Sequence, residues 1–452
     1  MVMKRDPVRR PIRVSVRLAL LFLSLLIVAA TSARAAGTGD GTAFTHLESM
    51  MDAACDALVE TGDPTHADYF TARFPDAMTA VNPERAAGGG MTVRSLYLQR
   101  PGSDTRYSLE AILNAGNLAR IAIESWHALP SGTSVPAAAL FVAPNCSPAQ
   151  AREIVYGTDG LARSLRIVGP DLVTTLGEEP LNPPVPEGVD AKGVTVAVID
   201  SGIAYDRPDI AKRLARDATG RLIGRDFWDL DPLPYDQDAT GSPFVARRHG
   251  TLVADILLRV AGPVRLIPLR YPRPDMTRFG PLVEFLAEQG TAIATLAMGS
   301  DSPGDWEAFK RAVEAHPDIL FIVSAGNDGR DIDRTPVFPA AFDLPNLLVV
   351  TSLTEGGRIA VGSNWGKRAV DIGLPAEHLI ARDPSGRERP VSGSSFAVPI
   401  AAGLAARLKS DHPDWRAPEL KAALLDAARP LPDEGDRPRI AAGWIDERPA
   451  RP

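Results

Sequence analysis

The chain has 452 residues, of which 45% are hydrophobic and 23% charged, and its formal net charge is −7. That length suffices for two or three domains, and the composition is that of an ordinary globular chain, not a disordered one. The acidic balance also argues against nucleic acid as a partner.

Residues 1–35 read as a signal peptide. Lys4, Arg5, Arg9, Arg10, Arg13 and Arg17 form a basic start, residues 18–30 are almost wholly apolar, and Ala33-Arg34-Ala35 offers small residues where a signal peptidase reads. A full membrane span needs about 20 apolar residues, so a cleaved leader is expected rather than an uncleaved anchor. Losing the leader's seven Lys/Arg and single Asp moves the charge from −7 to −13. No later apolar run is long enough to span a bilayer, so no stable membrane association is expected after cleavage. The mature protein is expected in a periplasm or outside the cell.

Residues 36–177 give a mixed α+β pattern. Leu47, Met50, Met51, Ala54 and Leu58 have helical spacing within 45–59. Residues 91–98 suggest a strand, and 106–113 with 117–125 suggest a hairpin around Asn114-Ala115-Gly116. A strand is expected at 138–142, then a helix at 147–155 begun by Ser147 as its cap. Cys55 and Cys146 are the only cysteines. Export permits a disulfide between them, but two separate buried thiols remain the alternative, because sequence cannot show that the sulfurs meet. No Cys or His lies nearby at ligand spacing, so no metal site is expected there.

Residues 178–188 hold Pro180, Pro183, Pro184 and Pro186, which cannot sustain a helix or central strand. They read as an extended, accessible linker between domains. From 189 to 434 the pattern alternates. Residues 194–199, 264–269, 292–298, 319–324 and 347–351 are apolar runs without polar alternation, as buried parallel strands require. Helices are expected at 251–260, 281–289, 306–316, 397–409 and 418–428. This predicts an α/β layered domain with a mainly parallel sheet flanked by helices. Residues 435–452 are rich in charge and proline and read as a loose tail.

Four segments in this region carry residue types suited to chemistry. Asp200 ends an apolar strand and precedes Ser201-Gly202, which puts it at the strand's carboxyl end, where open α/β sheets place their sites. His249 precedes Gly250-Thr251 and a helical apolar stripe. Asn327 lies in Ser324-Ala325-Gly326-Asn327-Asp328, running from a buried strand into a turn. Ser395 lies in Gly393-Ser394-Ser395-Phe396-Ala397-Val398-Pro399, ahead of a small-residue helix. Taken singly, these read as a turn Asp, a structural His, a turn Asn and a serine cap. Taken together, a serine hydroxyl, a base to deprotonate it and a carboxylate to orient the base are the parts of a nucleophilic site.

In this order the segments resemble the subtilisin-like serine proteases, the subtilase or peptidase S8 family, over roughly 189–431. Phe338-Pro339-Ala340, Ser363-Asn364-Trp365-Gly366 and His412-Pro413-Asp414-Trp415 agree with it. The resemblance implies peptide-bond hydrolysis through an acyl-enzyme on a polypeptide substrate, with Asp200, His249 and Ser395 catalytic. It implies Asn327 as an oxyanion donor. Ala297, Met298 and Gly299 with Ser324, Ala325 and Gly326 would line the pocket for the substrate side chain, although Met298 reads equally as core. The alternative is a catalytically silent binding protein of the same fold.

Several residues depart from the family pattern. Asp255 stands where a glycine is common, which puts the packing of its helix in doubt, and Phe396 replaces a frequent methionine. Arg247 and Arg248 would depress the His249 pKa if held close, but are expected to be solvated. Residues 270–280 differ from the usual substrate-binding edge. Many relatives bind calcium, and only the resemblance implies it here, since no acidic loop maps onto such a site. The N-terminal region is either a prosegment that docks on its own catalytic domain and is removed, or a lasting recognition domain.

Overall fold

The computed structural model describes residues 42–452 apart from 89–90, 129–133, 239–241, 274, 437–438 and 451. The leader at 1–35 and Pro274 lie outside the described residues.

The N-terminal part begins with helices α1 (Thr42–Thr61) and α2 (Ala67–Arg73). Eight strands follow: β1 (Met78–Gly88), β2 (Met91–Gln99), β3 (Thr105–Asn114), β4 (Asn117–Ala128), β5 (Ser134–Val142), β6 (Pro148–Tyr156), β7 (Ala162–Val168) and β8 (Thr175–Pro180). They form one antiparallel meander in chain order. Alternation sets its two faces. Ile121 and Ile123 join Leu47, Met50 and Phe70 of the helices, whereas Ala122 faces the other way with Phe141 and Ile154. The β3–β4 hairpin turns at Ala115 and Gly116, both at positive φ. Cys55 of α1 and Cys146 of the β5–β6 turn form a disulfide.

The helix expected at 147–155 is instead strand β6. Ser147 does not cap a helix; its Oγ donates to Asn145 Oδ1 at 2.8 Å inside a turn. The helical preference of Ala149-Gln150-Ala151-Arg152-Glu153 is local, and the ladders offered by β5 and β7 override it.

The second part is built on a parallel sheet of order β10-β11-β9-β12-β13-β14-β15-β18. Its strands are β9 (Val194–Asp200), β10 (Arg225–Asp226), β11 (Val264–Arg270), β12 (Ile293–Leu296), β13 (Leu320–Ser324), β14 (Leu347–Leu353), β15 (Ile372–Pro375) and β18 (Gly443–Trp444). The small hairpin β16 (Leu379–Arg382) with β17 (Glu388–Val391) stands apart. Helices α3 (Pro208–Ala211), α4 (Gly250–Val260), α7 (Ser394–Asp411) and α8 (Ala417–Ala427) lie on one face, and α5 (Phe279–Glu288) and α6 (Glu307–Ala315) on the other. Val196 and Val198 of β9 face the first layer, and Ala197 and Ile199 the second, all fully buried. Among the described residues no helix is long and apolar enough to cross a membrane.

Two segments expected to be loose are packed. After the edge strand β8, Leu181 and Asn182 of the proline-rich stretch are buried, Tyr205 Oη donates to Pro183 O at 2.8 Å and Arg216 Nη2 to Pro186 O at 2.6 Å. Proline cannot donate, but its carbonyl accepts, so the stretch is held through its oxygens. In the tail, Ile440 and Trp444 are buried and β18 extends the parallel sheet, because two large apolar side chains outweigh the polar composition around them.

Helices α4 and α7 carry the candidate site at their N-termini and meet at a glycine. A Cβ on Gly403 would lie 2.6 Å from Val260 Cγ1 and 2.9 Å from the Ala261 backbone nitrogen. Gly403→Ala should therefore force the helices apart and cost about 1–3 kcal/mol. A urea midpoint unchanged from the parent, measured in a Ser395→Ala background, would contradict this.

Candidate active site

The site lies at the carboxyl ends of the parallel strands. Asp200 closes β9 and is almost fully buried, with Oδ1 accepting the Ser201 backbone N–H at 2.8 Å. His249 precedes α4, and its Nδ1 lies 2.7 Å from the same Oδ1. A carboxylate accepts, so Nδ1 carries the proton and Nε2 is left as the basic nitrogen. Gly250 permits this approach: a Cβ there would lie 2.0 Å from Gly202 O and 2.9 Å from Asp200 Cβ. Burial pushes the imidazole toward its neutral form. The charge and hydrogen bond of Asp200, with Asp236 and Asp238 behind, outweigh that and hold its pKa above the usual value.

Asp236, which the sequence did not single out, stands behind this pair and is fully buried. Its carboxylate accepts from Ser201 Oγ at 2.6 Å, His249 N–H at 3.2 Å and Thr251 N–H at 2.9 Å. Ser201 Oγ in turn accepts from the His249 and Gly250 backbone N–H groups. The strand end and the helix start are thus joined through a serine and a carboxylate. Asp236 lies thirteen positions before His249 in the numbering, too far for a spacing argument to connect them.

Ser395 is half-buried in the first turn of α7. Its neighbour Phe396 places its ring 5.5 Å from the His249 ring, which brings the starts of α4 and α7 together. Among the described residues Ser395 Oγ forms no hydrogen bond, to His249 or otherwise. Such bonds are often long before substrate arrives.

The second residue missed is Ser394, fully buried beside Ser395. Its Oγ lies 2.7 Å from Ser324 Oγ, 3.0 Å from Gly326 O and 2.9 Å from Asn327 Oδ1. Its backbone N–H also donates to Asn327 Oδ1 at 2.9 Å. That contact fixes the amide's orientation and leaves the Nδ2 hydrogens of exposed Asn327 without an intramolecular acceptor among the described residues. Only the tandem serines after Gly393 hinted at this role. Asn364, fully buried, holds the same turn, accepting from Asp328 N–H and Arg330 N–H and donating to Ala325 O.

Ser324 ends β13 and Ala325 and Gly326 follow it, and Ala297, Met298 and Gly299 follow the adjacent β12. Met298 is half-buried and packs against the apolar cluster under α5 and α6, so the core role weighed for it is present. A Cβ on Gly299 would lie 2.9 Å from Phe338 O and 3.0 Å from Val337 Cγ1.

Asp255 does not disturb its helix. It is buried and paired, with Arg207 Nη2 at 2.6 Å and Arg259 Nε at 3.1 Å, and it accepts the Arg382 N–H. Arg247 is exposed as expected, but Arg248 is half-buried. Its guanidinium donates to Asp236 O and Pro180 O and pairs with Glu179 at 3.7 Å. Although Arg248 is held near the site, the His249 pKa stands above its usual value, because the charge and hydrogen bond of Asp200 outweigh burial. In the 270–280 stretch, Arg270 is buried between Asp226 and Asp229 under the Trp228 ring. No group of three or more His, Cys, Asp or Glu side chains that could hold a metal ion is found among the described residues.

A parallel α/β sheet with Asp200, His249 and Ser395 near its carboxyl edge is the arrangement expected of a serine hydrolase of subtilisin type. The family model described as the subtilase family, peptidase S8, matches residues 191–444, more than half of the chain. The chain belongs to the subtilase family of serine endopeptidases. An "Intracellular serine protease" of Paenibacillus polymyxa is 28% identical over 280 residues, covering 56% of this chain and 78% of that protein. A "Thermophilic serine proteinase" of Bacillus sp. (strain AK1) is 28% identical over 239 residues, covering 49% of this chain and 53% of that protein. "Halolysin" of Haloferax mediterranei is 27% identical over 236 residues, but the chain spans only 42% of its length. The crystal structure of a cold adapted subtilisin-like serine proteinase superposes with a TM-score of 0.46 at 23% identity, covering 59% of this chain and 93% of that one.

Ser394 ties Asn327 to the 324–326 segment. Ser394→Ala should remove the hydroxyl's contacts to Ser324 Oγ, Gly326 O and Asn327 Oδ1, while Asn327 Oδ1 keeps the backbone N–H of residue 394 and Ser324 Oγ the Gly326 N–H, and cost about 0.5–1.5 kcal/mol. Equal urea midpoints for the variant and its parent would remove Ser394 from that role.

Proposed function

We propose that the chain is an exported endopeptidase that cleaves polypeptides through an acyl-enzyme on Ser395. The observation that carries this reading is the 2.7 Å contact of His249 Nδ1 with Asp200 Oδ1, which holds the imidazole with Nε2 unprotonated. His249 Nε2 takes the Ser395 proton as Oγ attacks the scissile carbonyl carbon. Asp200 stabilises the imidazolium that forms. Asn327 Nδ2–H and the Ser395 backbone N–H donate to the oxyanion of the tetrahedral intermediate, where charge develops. The C–N bond then breaks, and the leaving amine takes its proton from His249. Water attacks the acyl carbon with His249 again as base, the C–Oγ bond breaks, and Ser395 Oγ regains its proton from His249 as the acid product leaves.

The 297–299 and 324–326 segments are proposed to flank the substrate side chain, with the first pairing to the substrate backbone as an added strand. Export rests on the composition of residues 1–35. The second reading, a silent binding protein, is favoured by one observation: the missing hydrogen bond at Ser395.

Two measurements decide between them. A serine-directed fluorophosphonate should add one label to the wild type and none to a folded Ser395→Ala variant; a wild type that stays unlabelled supports the silent protein. In the pH profile of kcat/KM, activity requires neutral His249, so it should fall as pH drops through the raised pKa. The midpoint of that acid limb is expected above about 6.5, the ordinary histidine value. A flat profile between about pH 5 and 8 removes His249 as the base.

A further inference from the structure

Phe244 lies five positions before His249 but is buried among residues of the N-terminal sheet. It is fully inaccessible and packs with Ala122, Ala139, Phe141, Ile154 and Leu165. Its ring meets Trp126 edge-on at 6.5 Å. Two polar contacts fix the same short turn, Pro243–Val245. Arg152 Nη1 donates to Phe244 O at 2.7 Å, and Ser242 Oγ donates to Glu124 Oε1 at 2.7 Å. On the way back to the site, Arg247 and Asp238 exchange backbone hydrogen bonds at 2.9 and 3.0 Å. Arg248 then reaches Asp236 O with one arm and Pro180 O, at the end of β8, with the other. The described stretch 242–249 therefore runs from the N-terminal sheet, at Ser242 and Phe244, to the candidate site, at His249.

An aromatic ring in a polar loop has no place in the core of its own domain here; its pocket is supplied by strands β4 to β7. Among the described residues, the hydrogen bonds and ion pairs of 42–180 do not reach Ser395, Asn327 or the 297–299 and 324–326 segments. The N-terminal part grips the loop that precedes His249.

We propose that residues 42–180 are a lasting positioning unit of the enzyme, which holds the His249 loop through Phe244. Phe244 is a positioning residue: it touches neither substrate nor the reacting atoms, and it acts by fixing the backbone on which His249 and Thr251 donate to Asp236. The kinetic side of this proposal rests on the endopeptidase reading; the structural side does not.

The test uses the full chain with Phe244→Ala and Phe244→Leu. Hydrogen–deuterium exchange is followed in a Ser395→Ala background, which prevents self-cleavage. In Phe244→Ala the amides of His249 and Thr251 should exchange at least about tenfold faster, while those of Val196 to Ile199 stay protected. In the Ser395 background, fluorophosphonate labelling and kcat should fall at least about tenfold with KM within about twofold, and Phe244→Leu should regain most of both. If Phe244→Ala does not fold, Phe244→Leu and Arg152→Gln must show the same changes in smaller measure. Unchanged protection of His249 and Thr251 in a folded variant overturns the proposal. So does a mature species that has lost residues 42–180 and labels at the full rate. If the wild type itself does not label, the endopeptidase reading fails, and the exchange data still decide whether the loop is held.

Discussion

The hydrogen bond between His249 Nδ1 and Asp200 Oδ1 is the constraint to which the rest of the site is built. It joins a strand end to a helix start that lie 49 positions apart. Holding two chain segments at 2.7 Å requires more than the bond itself, because a side-chain contact of this kind contributes about 1.5–3 kcal/mol when charged. The backbone does the remaining work. Ser201 Oγ accepts from two successive N–H groups at the start of α4, and its single hydrogen goes to Asp236, the nearer of its two carboxylates. Gly250 lets the helix start lie against Gly202, where any side chain would collide.

Three buried aspartates near this junction are stabilised in different ways. Asp200 is offset by an imidazole and an amide, and its charge raises the histidine pKa. Asp236 has amide and hydroxyl donors, with Arg248 reaching its backbone carbonyl; burial still pushes its carboxyl up. Asp255 is offset by guanidinium groups and replaces an expected glycine with an ion pair nearly out of solvent. Removing one partner from such a pair leaves a charge without solvation, which costs far more than the pair contributes. The position is therefore fixed by its pairs with Arg207 and Arg259.

The parallel sheet was legible because its strands are buried on both faces. Val194–Asp200 has no polar alternation, and that pattern has few alternatives at that length. Asp200, His249, Asn327 and Ser395 stood out as candidates by their order along the chain, and the structure joins Asp200 to His249 and ties Asn327 to Ser394, beside Ser395. What escaped the sequence depends on contacts between distant segments. The stretch β6 took its conformation from neighbouring strands, Asp236 and Ser394 acquire their roles only when loops fold back, and Phe244 reads as an ordinary apolar residue in a polar loop. The proline-rich stretch was legible as extended but not as packed, since carbonyl acceptors leave no compositional trace.

The strength of the grip on Phe244 sets how the two parts of the chain relate. Burying a phenylalanine is worth about 1.5–3 kcal/mol. Two hydrogen bonds to charged groups add about 1.5–3 kcal/mol each. Even as an upper limit, these contacts total about 5–9 kcal/mol, which corresponds to dissociation constants from near millimolar to submicromolar before the cost of association. Within one chain that is enough, because a short tether supplies an effective concentration of about millimolar. The packed stretch at 181–188 is such a tether, and it approaches the parallel sheet with little slack. Docking therefore depends on chain continuity as much as on the contact. A cut in this stretch would leave the N-terminal unit held by the Phe244 turn and by the Arg248 contacts to Glu179 and Pro180, and the order of the His249 loop would then depend on protein concentration.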